Sequence, residues 1–202
     1  MNARDFLPLA LVTTAVGLTA GCFSPRADAT RFYVLGDATD LVAKAPAATC
    51  ARMVLVGPVR VATHVDQPVI VERVGANEVR LLEWQRWAEL PGRALPSALV
   101  TRLAAGLPDV CVVSYARATP GTNSVQVEIE IERFELRAEN QAVLAARWRI
   151  FTPGAGGKGA QHSGRYEQSF AGGTNRVAAG VAALTETVDR LAKQLADDLR
   201  AQ

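Results

Sequence analysis

The chain has 202 residues, of which 49% are hydrophobic and 21% are charged, so it can form a domain with a substantial core. Its 22 Lys and Arg against 20 Asp and Glu give a formal net charge of +2. This charge is too small and too scattered to favour nucleic-acid binding. Beyond the N-terminal 20 residues no long apolar segment occurs, so the rest of the chain is expected to be soluble.

The chain opens with an apolar run over residues 7–20 that leads into Gly21 and Cys22. These 14 residues are fewer than the ~20 that span a bilayer as a helix. The run resembles a bacterial lipoprotein signal peptide, although Thr19 stands where such signals usually carry Leu. Residues 1–21 are therefore predicted to be the signal peptide and residues 22–30 a tether lipidated on Cys22. The alternatives are a buried N-terminal helix or an uncleaved transmembrane anchor.

Residues 31–106 predict short strands, a hairpin and a helix. Residues 31–35 and 52–62 are rich in β-branched residues and predict strands, and Gly57-Pro58 indicates a bulge or an edge in the second. The Ala-rich residues 37–49 between them predict a loop. Further predictions are a hairpin from residues 69–73 and 78–83, and a helix over residues 95–105 that starts at Pro96 and Ser97 and stops at Gly106 and Pro108.

The remaining half of the chain is more regular. Residues 125–131 alternate apolar and acidic residues, which is typical of a strand with one buried and one wet face. Residues 143–151 predict the returning strand, with Arg147 and Arg149 opposite the glutamates. Other predicted elements are strands at 110–115 and 165–171, a glycine-rich loop at 153–159 and a helix at 175–200. Together they predict an α/β (α+β) single domain over residues 31–202, a mixed β-sheet packed by two main helices including a long C-terminal amphipathic helix.

Two cysteines besides Cys22 precede or begin predicted strands. Cys50 precedes the strand at 52–62, and Cys111 lies near the start of the strand at 110–115. If these strands are parallel and adjacent, both cysteines lie at one end of the sheet, where they could form a disulfide in the envelope. The alternative is two buried free thiols.

No group of residues predicts catalysis or metal binding. The two histidines, His64 and His162, are far apart, and neither lies in a metal-ligand spacing. Residues 154–159 fail the phosphate-loop pattern because Gly159 follows Lys158 where Ser or Thr is needed. We therefore predict no catalytic residue, no cofactor and no metal site, and expect that the protein is not an enzyme.

Residues 64–90 hold the densest set of charged and aromatic side chains. Trp84 and Trp87 lie three apart among charges, a pattern typical of interfaces, although either ring could instead cap the core. Pro68 fixes the backbone before residues 69–73, and Asp66 can accept hydrogen bonds from nearby amides. The predicted partner interface therefore comprises Asp66, Pro68, Arg73, Trp84 and Trp87.

The order of several short motifs resembles the ABC-type transport auxiliary lipoproteins, the PqiC/YmbA-like family. The resemblance covers nearly all of the mature chain, and Gln67 departs from the Arg that the family tends to carry. It rests on the lipoprotein signal and on residues 32–35 (FYVL), 56–59 (VGPV), 65–71 (VDQPVIV), 77–79 (NEV) and 86–89 (RWAE).

The resemblance implies a non-enzymatic role at the envelope. Family members accompany MCE-type lipid transport systems, so the expected partner is an MCE-domain protein and the expected task is to dock or stabilise the conduit. Phe23 after Cys22, instead of Asp, favours by resemblance an outer-membrane anchor that faces the periplasm. Self-association into a homo-oligomer is compatible with this role. The alternatives are a lipoprotein that assists another outer-membrane assembly machine, a periplasmic lipid-binding carrier with an apolar cavity, and a periplasmic hydrolase.

Overall fold

The computed structural model describes residues 30–36, 50, 52–118, 120–121, 123–153 and 159–201. The predicted signal peptide and Cys22, the loop at 37–49 and residues 154–158 of the glycine-rich loop lie outside the described residues. Within the described ranges, no helix has the length and apolar character needed to cross a membrane.

Eight strands and two α-helices make up the described part of the domain, with a 3-10 turn at Tyr115–Arg117. The strands are β1 (Arg31–Tyr33), β2 (Met53–Val61), β3 (Val69–Arg73), β4 (Val79–Trp87), β5 (Cys111–Ser114), β6 (Ser124–Arg137), β7 (Gln141–Phe151) and β8 (Gly159–Ser169). The helices are α1 (Pro91–Gly106) and α2 (Arg176–Arg200). The predicted α+β domain is confirmed, with one mixed, open sheet and two helices.

The long strand β6 organises the sheet. It pairs antiparallel with β7 along its length, and β7 pairs in turn with β8. Because a strand has only two edges, β2 and β3 share the other edge of β6, both running parallel to it. From β2 the sheet continues to β5, and from β3 it continues through β4 to β1. The described sheet is therefore open, with β1, β5 and β8 as its edge strands.

Gly57 and Pro58 interrupt β2 as predicted. The register between β2 and β6 shifts between Val56 and Val59, and Gly57 adopts a φ of +123° that favours glycine. The Gln126 side chain donates a 2.9 Å hydrogen bond to the Gly57 carbonyl. The bulge therefore keeps its polar backbone satisfied although it lies inside the sheet.

The two helices pack side by side on one face of the sheet. The predicted stripe of α2 is confirmed, because its leucines and valines at three- and four-residue spacing are buried in the core, apart from the partly buried Val177 at its start. The predicted start of the first helix at Pro96 is wrong. The helix α1 begins at Pro91 and carries Pro96 in its interior, because Pro91 occupies its first turn and a side chain remote in sequence caps it.

Cys50 and Cys111 form a disulfide whose Cα atoms lie 5.6 Å apart. The condition for this bridge is met, because β2 and β5 are adjacent and parallel, with Met53 in register with Cys111. The bridge closes a sequence separation of 61 residues. It ties the start of β2 to the start of an edge strand.

Candidate interaction surface

The edge of the sheet formed by β1 and β4 exposes aromatic and aliphatic side chains. In β1, Tyr33 packs against the core, and its hydroxyl donates a 2.6 Å hydrogen bond to Gln85 of β4. Alternation along the strand turns Phe32 to the opposite side, where it is 65% exposed, as is Val34. Trp84 of β4 is 60% exposed. We call Phe32, Val34 and Trp84 the aromatic edge.

The two neighbouring tryptophans predicted as interface residues have different surroundings. Trp87 is 7% exposed and stacks on Phe134 of β6 with 5.7 Å between ring centroids. Its ring is therefore part of the core. Trp84 falls in the stretch of β4 where the register with β3 shifts, and no residue of β3 is paired with it. Trp84 is thus the one of the two whose ring offers a surface to a partner.

The Asp66–Pro68 turn supports the start of α1. The Asp66 carboxylate accepts a 2.8 Å hydrogen bond from the backbone N–H of Gly92, one of the donors that a helix start leaves unpaired. A Cβ atom added to Gly92 would lie 2.6 Å from the Asp66 carboxylate, so this close approach requires glycine. Pro68 follows as an exposed residue. Asp66 therefore has a structural contact, while Pro68 presents surface.

Arg73 neutralises a fully buried carboxylate. Two of its nitrogens donate hydrogen bonds of 2.6 and 3.1 Å to the two oxygens of Glu135, and Arg133 Nε adds a third at 2.7 Å. Burial raises the pKa of Glu135, but the hydrogen bonds from Arg73 and Arg133 outweigh it, so the pKa is lowered below its ordinary value. The guanidinium predicted as an interface group is therefore engaged within the domain.

A second buried carboxylate, Glu72, was not singled out by the sequence analysis. Its Oε2 accepts a 3.0 Å hydrogen bond from Arg80 of β4, and its Oε1 lies 2.6 Å from an Arg176 nitrogen, at the start of α2, as an ion pair. Glu72 follows three apolar residues (69–71) within β3. A carboxylate that continues a buried apolar run needs a partner, and this is the signal that could have identified it. The contact joins two strands to the long helix.

The face of the sheet away from the helices carries a ladder of Arg–Glu pairs. Arg149 lies in register with Glu128 and donates to it at 2.8 Å, while Arg147 lies opposite Glu130. The predicted cross-strand placement of both arginines is confirmed. Because each of these arginines has a glutamate beside it, this face holds few unpaired charges. The pairs therefore help to fix the register of the strands and leave little charge to bind a ligand.

An open groove between β8 and α2 brings His162 close to Asp198. His162 Nδ1 lies 3.5 Å from the Asp198 carboxylate, which also accepts a 2.9 Å hydrogen bond from Trp148 Nε1. A hydrolase would need a serine hydroxyl on His162 Nε2, but that atom has no hydrogen-bond partner among the described residues. Ser163, the next residue on the strand, also lines the groove, but its hydroxyl does not bind His162 Nε2. Among the described residues, no serine hydroxyl is therefore paired with this imidazole.

A family described as the ABC-type transport auxiliary lipoprotein component matches residues 33–196. Among curated proteins, none matches the chain.

Two solved structures are similar in fold over most of the chain. One, described only as an uncharacterized protein, has a TM-score of 0.68 at 16% identity and covers 84% of this chain and 98% of its own. The other is protein XCC0632 from Xanthomonas campestris, of the DUF330 family, with a TM-score of 0.60 at 16% identity. It covers 82% of this chain and 92% of its own. At this identity the likeness concerns the fold.

Proposed function

The chain belongs to the ABC-type transport auxiliary lipoprotein components, whose family model spans residues 33–196, and on this premise we propose that it serves an MCE-type lipid transport system. In this proposal, acyl chains on Cys22 anchor the protein to the outer membrane, with the domain facing the periplasm. The domain docks or stabilises the conduit built by an MCE-domain protein of the transporter. Membrane integrity then depends on it indirectly, through lipid supply.

The family match carries this proposal, and the geometry of the described residues is compatible with it. A docking module needs a stable domain with exposed surface, whereas a lipid carrier needs an enclosed apolar cavity. The grooves found in the described part of the chain are open and lined by charged and polar side chains as well as by Trp148. These grooves favour docking over carriage of an acyl chain.

The Asp66–Pro68 turn, which is exposed at Pro68, is our candidate contact for the transport protein. Of the five interface residues predicted from the sequence, Trp87, Arg73 and Asp66 have side chains with partners within the domain, so the side chains of Pro68 and Trp84 are left to meet another molecule. Self-association through the open sheet edges is part of the same proposal, because edge strands present unpaired backbone groups.

Crosslinking in intact envelopes tests the proposed partner. The lipidated protein is isolated after mild crosslinking, and the proteins bound to it are identified by mass spectrometry. We expect an MCE-domain protein, and we expect less of it with Pro68→Ser than with the matched exposed proline variant Pro108→Ser. Recovery of other outer-membrane assembly factors without an MCE-domain protein would replace this proposal with the assembly role.

A further inference from the structure

We infer that the aromatic edge of Phe32, Val34 and Trp84 contacts the surface of the membrane that holds the acyl anchor. The inference rests on the proposed function in one respect, the acylation of Cys22. It assigns a lipid bilayer, and not the transport protein, to the exposed ring of Trp84. The Asp66–Pro68 turn keeps its place as the candidate contact for that protein.

The three side chains of the edge are the most exposed large hydrophobics among the described residues. Phe32 and Val34 are each 65% exposed and Trp84 is 60% exposed, whereas the next, Leu81, is 46% exposed. Exposed aromatic rings gathered at one edge of a domain mark an interaction site. Trp and Phe suit a membrane surface in particular, because tryptophan places an apolar ring and a polar N–H at the boundary between headgroups and acyl chains.

The short spacing between the anchor and this edge selects the membrane as the occupant. Eight residues lead from Cys22 to Thr30, and β1 begins at the next position. A fully extended chain spans at most ~3.6 Å per residue, so the start of β1 lies within about 32 Å of the acylated cysteine. The aromatic edge is thus held near the bilayer at a high effective concentration, and even a weak contact with lipid is populated.

A cation beside the edge complements lipid phosphates. Phe32 is in register with Arg86 of β4, so the two side chains lie on the same face of the sheet. Arg86 forms no ion pair within the described residues, while Glu83 is the one carboxylate in the same stretch of β4. Arginine donates paired hydrogen bonds to phosphate oxygens, so Arg86 can bind a headgroup while the rings enter the boundary below.

The tryptophan fluorescence of the lipidated protein tests the inference. Trp87 and Trp148 are buried, so Trp84 is the exposed one of the three tryptophans. The protein is reconstituted into phosphatidylethanolamine and phosphatidylglycerol vesicles with plain or brominated acyl chains, since bromine quenches only rings that enter the bilayer. We expect brominated lipid to remove about one third of the emission, the share of one tryptophan in three.

Matched variants identify the residue whose fluorescence is quenched. Trp84→Phe should abolish the quenching by brominated lipid, and the double variant Phe32→Ser/Val34→Ser should reduce it by about twofold or more. Tyr115→Ser, which removes an exposed aromatic ring beyond β5, should leave it unchanged. Equal wild-type emission in plain and brominated vesicles would overturn the inference, as would protection of Trp84 only upon addition of an MCE-domain protein.

The same preparation separates this inference from the proposed function. Intact-mass measurement shows whether Cys22 carries acyl chains before any vesicle is made. An unacylated protein contradicts the proposed anchor. An acylated protein without quenching contradicts only the membrane contact.

Discussion

Asp66 accepts the backbone hydrogen bond that starts α1, so its replacement should destabilise the domain even without a binding partner. We expect Asp66→Ala to lower the free energy of unfolding by about 1 kcal/mol, and Asp66→Asn, which keeps an acceptor oxygen, to lower it by less. Urea denaturation measures both values. The exposed Asp109→Ala serves as the control with little effect. An unchanged stability for Asp66→Ala would remove the capping role and leave Asp66 to the partner interface.

Glu135 gives the domain an acid-sensitive contribution to stability. Its folded-state pKa is lowered, so its stabilisation is complete above the ordinary carboxyl pKa of 4.5 and is lost as the pH falls through the lower folded value. We expect Glu135→Gln to lower the unfolding free energy by about 2 kcal/mol at neutral pH, because Arg73 and Arg133 lose a charged acceptor. The difference from wild type should shrink towards low pH in unfolding measurements.

The exposed pair of Glu139 with Arg137 provides the control for this pH profile. The Glu139 side chain is 66% exposed and lies 3.5 Å from its partner. Glu139→Gln should change the unfolding free energy by less than about 0.5 kcal/mol at either end of the range. A profile for Glu135→Gln that runs parallel to wild type would contradict the lowered pKa.

The surroundings of individual side chains could be predicted from the sequence only in part. The exposure of Trp84, the burial of Trp87 and the cap by Asp66 depend on neighbours that lie far along the chain, Phe134 for one ring and Gly92 for the carboxylate. The local spacing of residue types does not specify such distant neighbours. It could therefore identify a dense region as important, but not which of its side chains pack in the core and which are exposed.

The helix α2 stabilises the domain through its apolar stripe. Leu191 is fully buried on this stripe against the sheet. We expect Leu191→Ala to lower the unfolding free energy by about 3 kcal/mol, since it leaves a cavity in a packed core. Lys193→Ala, on the wet side of the same helix, should cost less than about 0.5 kcal/mol through loss of its pair with Asp197. Similar effects of both variants in urea denaturation would contradict the packing.

Elements with a strong period were predictable, and those shaped by neighbours were less so. The predicted helix at 175–200 and strand at 69–73 agree with α2 and β3 to within a residue. The strand β6 continues past its predicted end at Ile131. The prediction stopped there because a bulge between Ile131 and Arg133 changes the face of the sheet on which the apolar side chains lie. Periodicity alone reads such a change of face as the end of a strand.

The disulfide between Cys50 and Cys111 constrains a long loop of the unfolded chain. We expect the double variant Cys50→Ser/Cys111→Ser to lower the free energy of unfolding by about 3–4 kcal/mol, because a loop of some 60 residues gains freedom when it unfolds. Denaturation with and without reductant measures the same quantity for wild type. Labelling of two free thiols in denatured, unreduced protein from the envelope would contradict the bridge.

At the scale of the molecule, the sequence predicted the fold class but not the order of the strands. The alternation of strands and helices favours a mixed sheet packed by helices. That β2 and β3 share one edge of β6 depends on long-range pairing, such as Val54 with Val125 and Arg73 with Arg137. No local pattern specifies those partners.

This pairing sets the order in which the domain can form. The apolar strand β2 lies between β5 and β6, so its neighbours Val112 and Val125 follow it by many residues in the chain. A polypeptide that emerges N-terminus first must therefore keep β2 unpaired until the second half of the domain follows. Such a high contact order slows folding and prolongs exposure of an aggregation-prone segment. We expect that the chain in transit depends on holding chaperones, and that folding begins only once β6 and β7 have emerged.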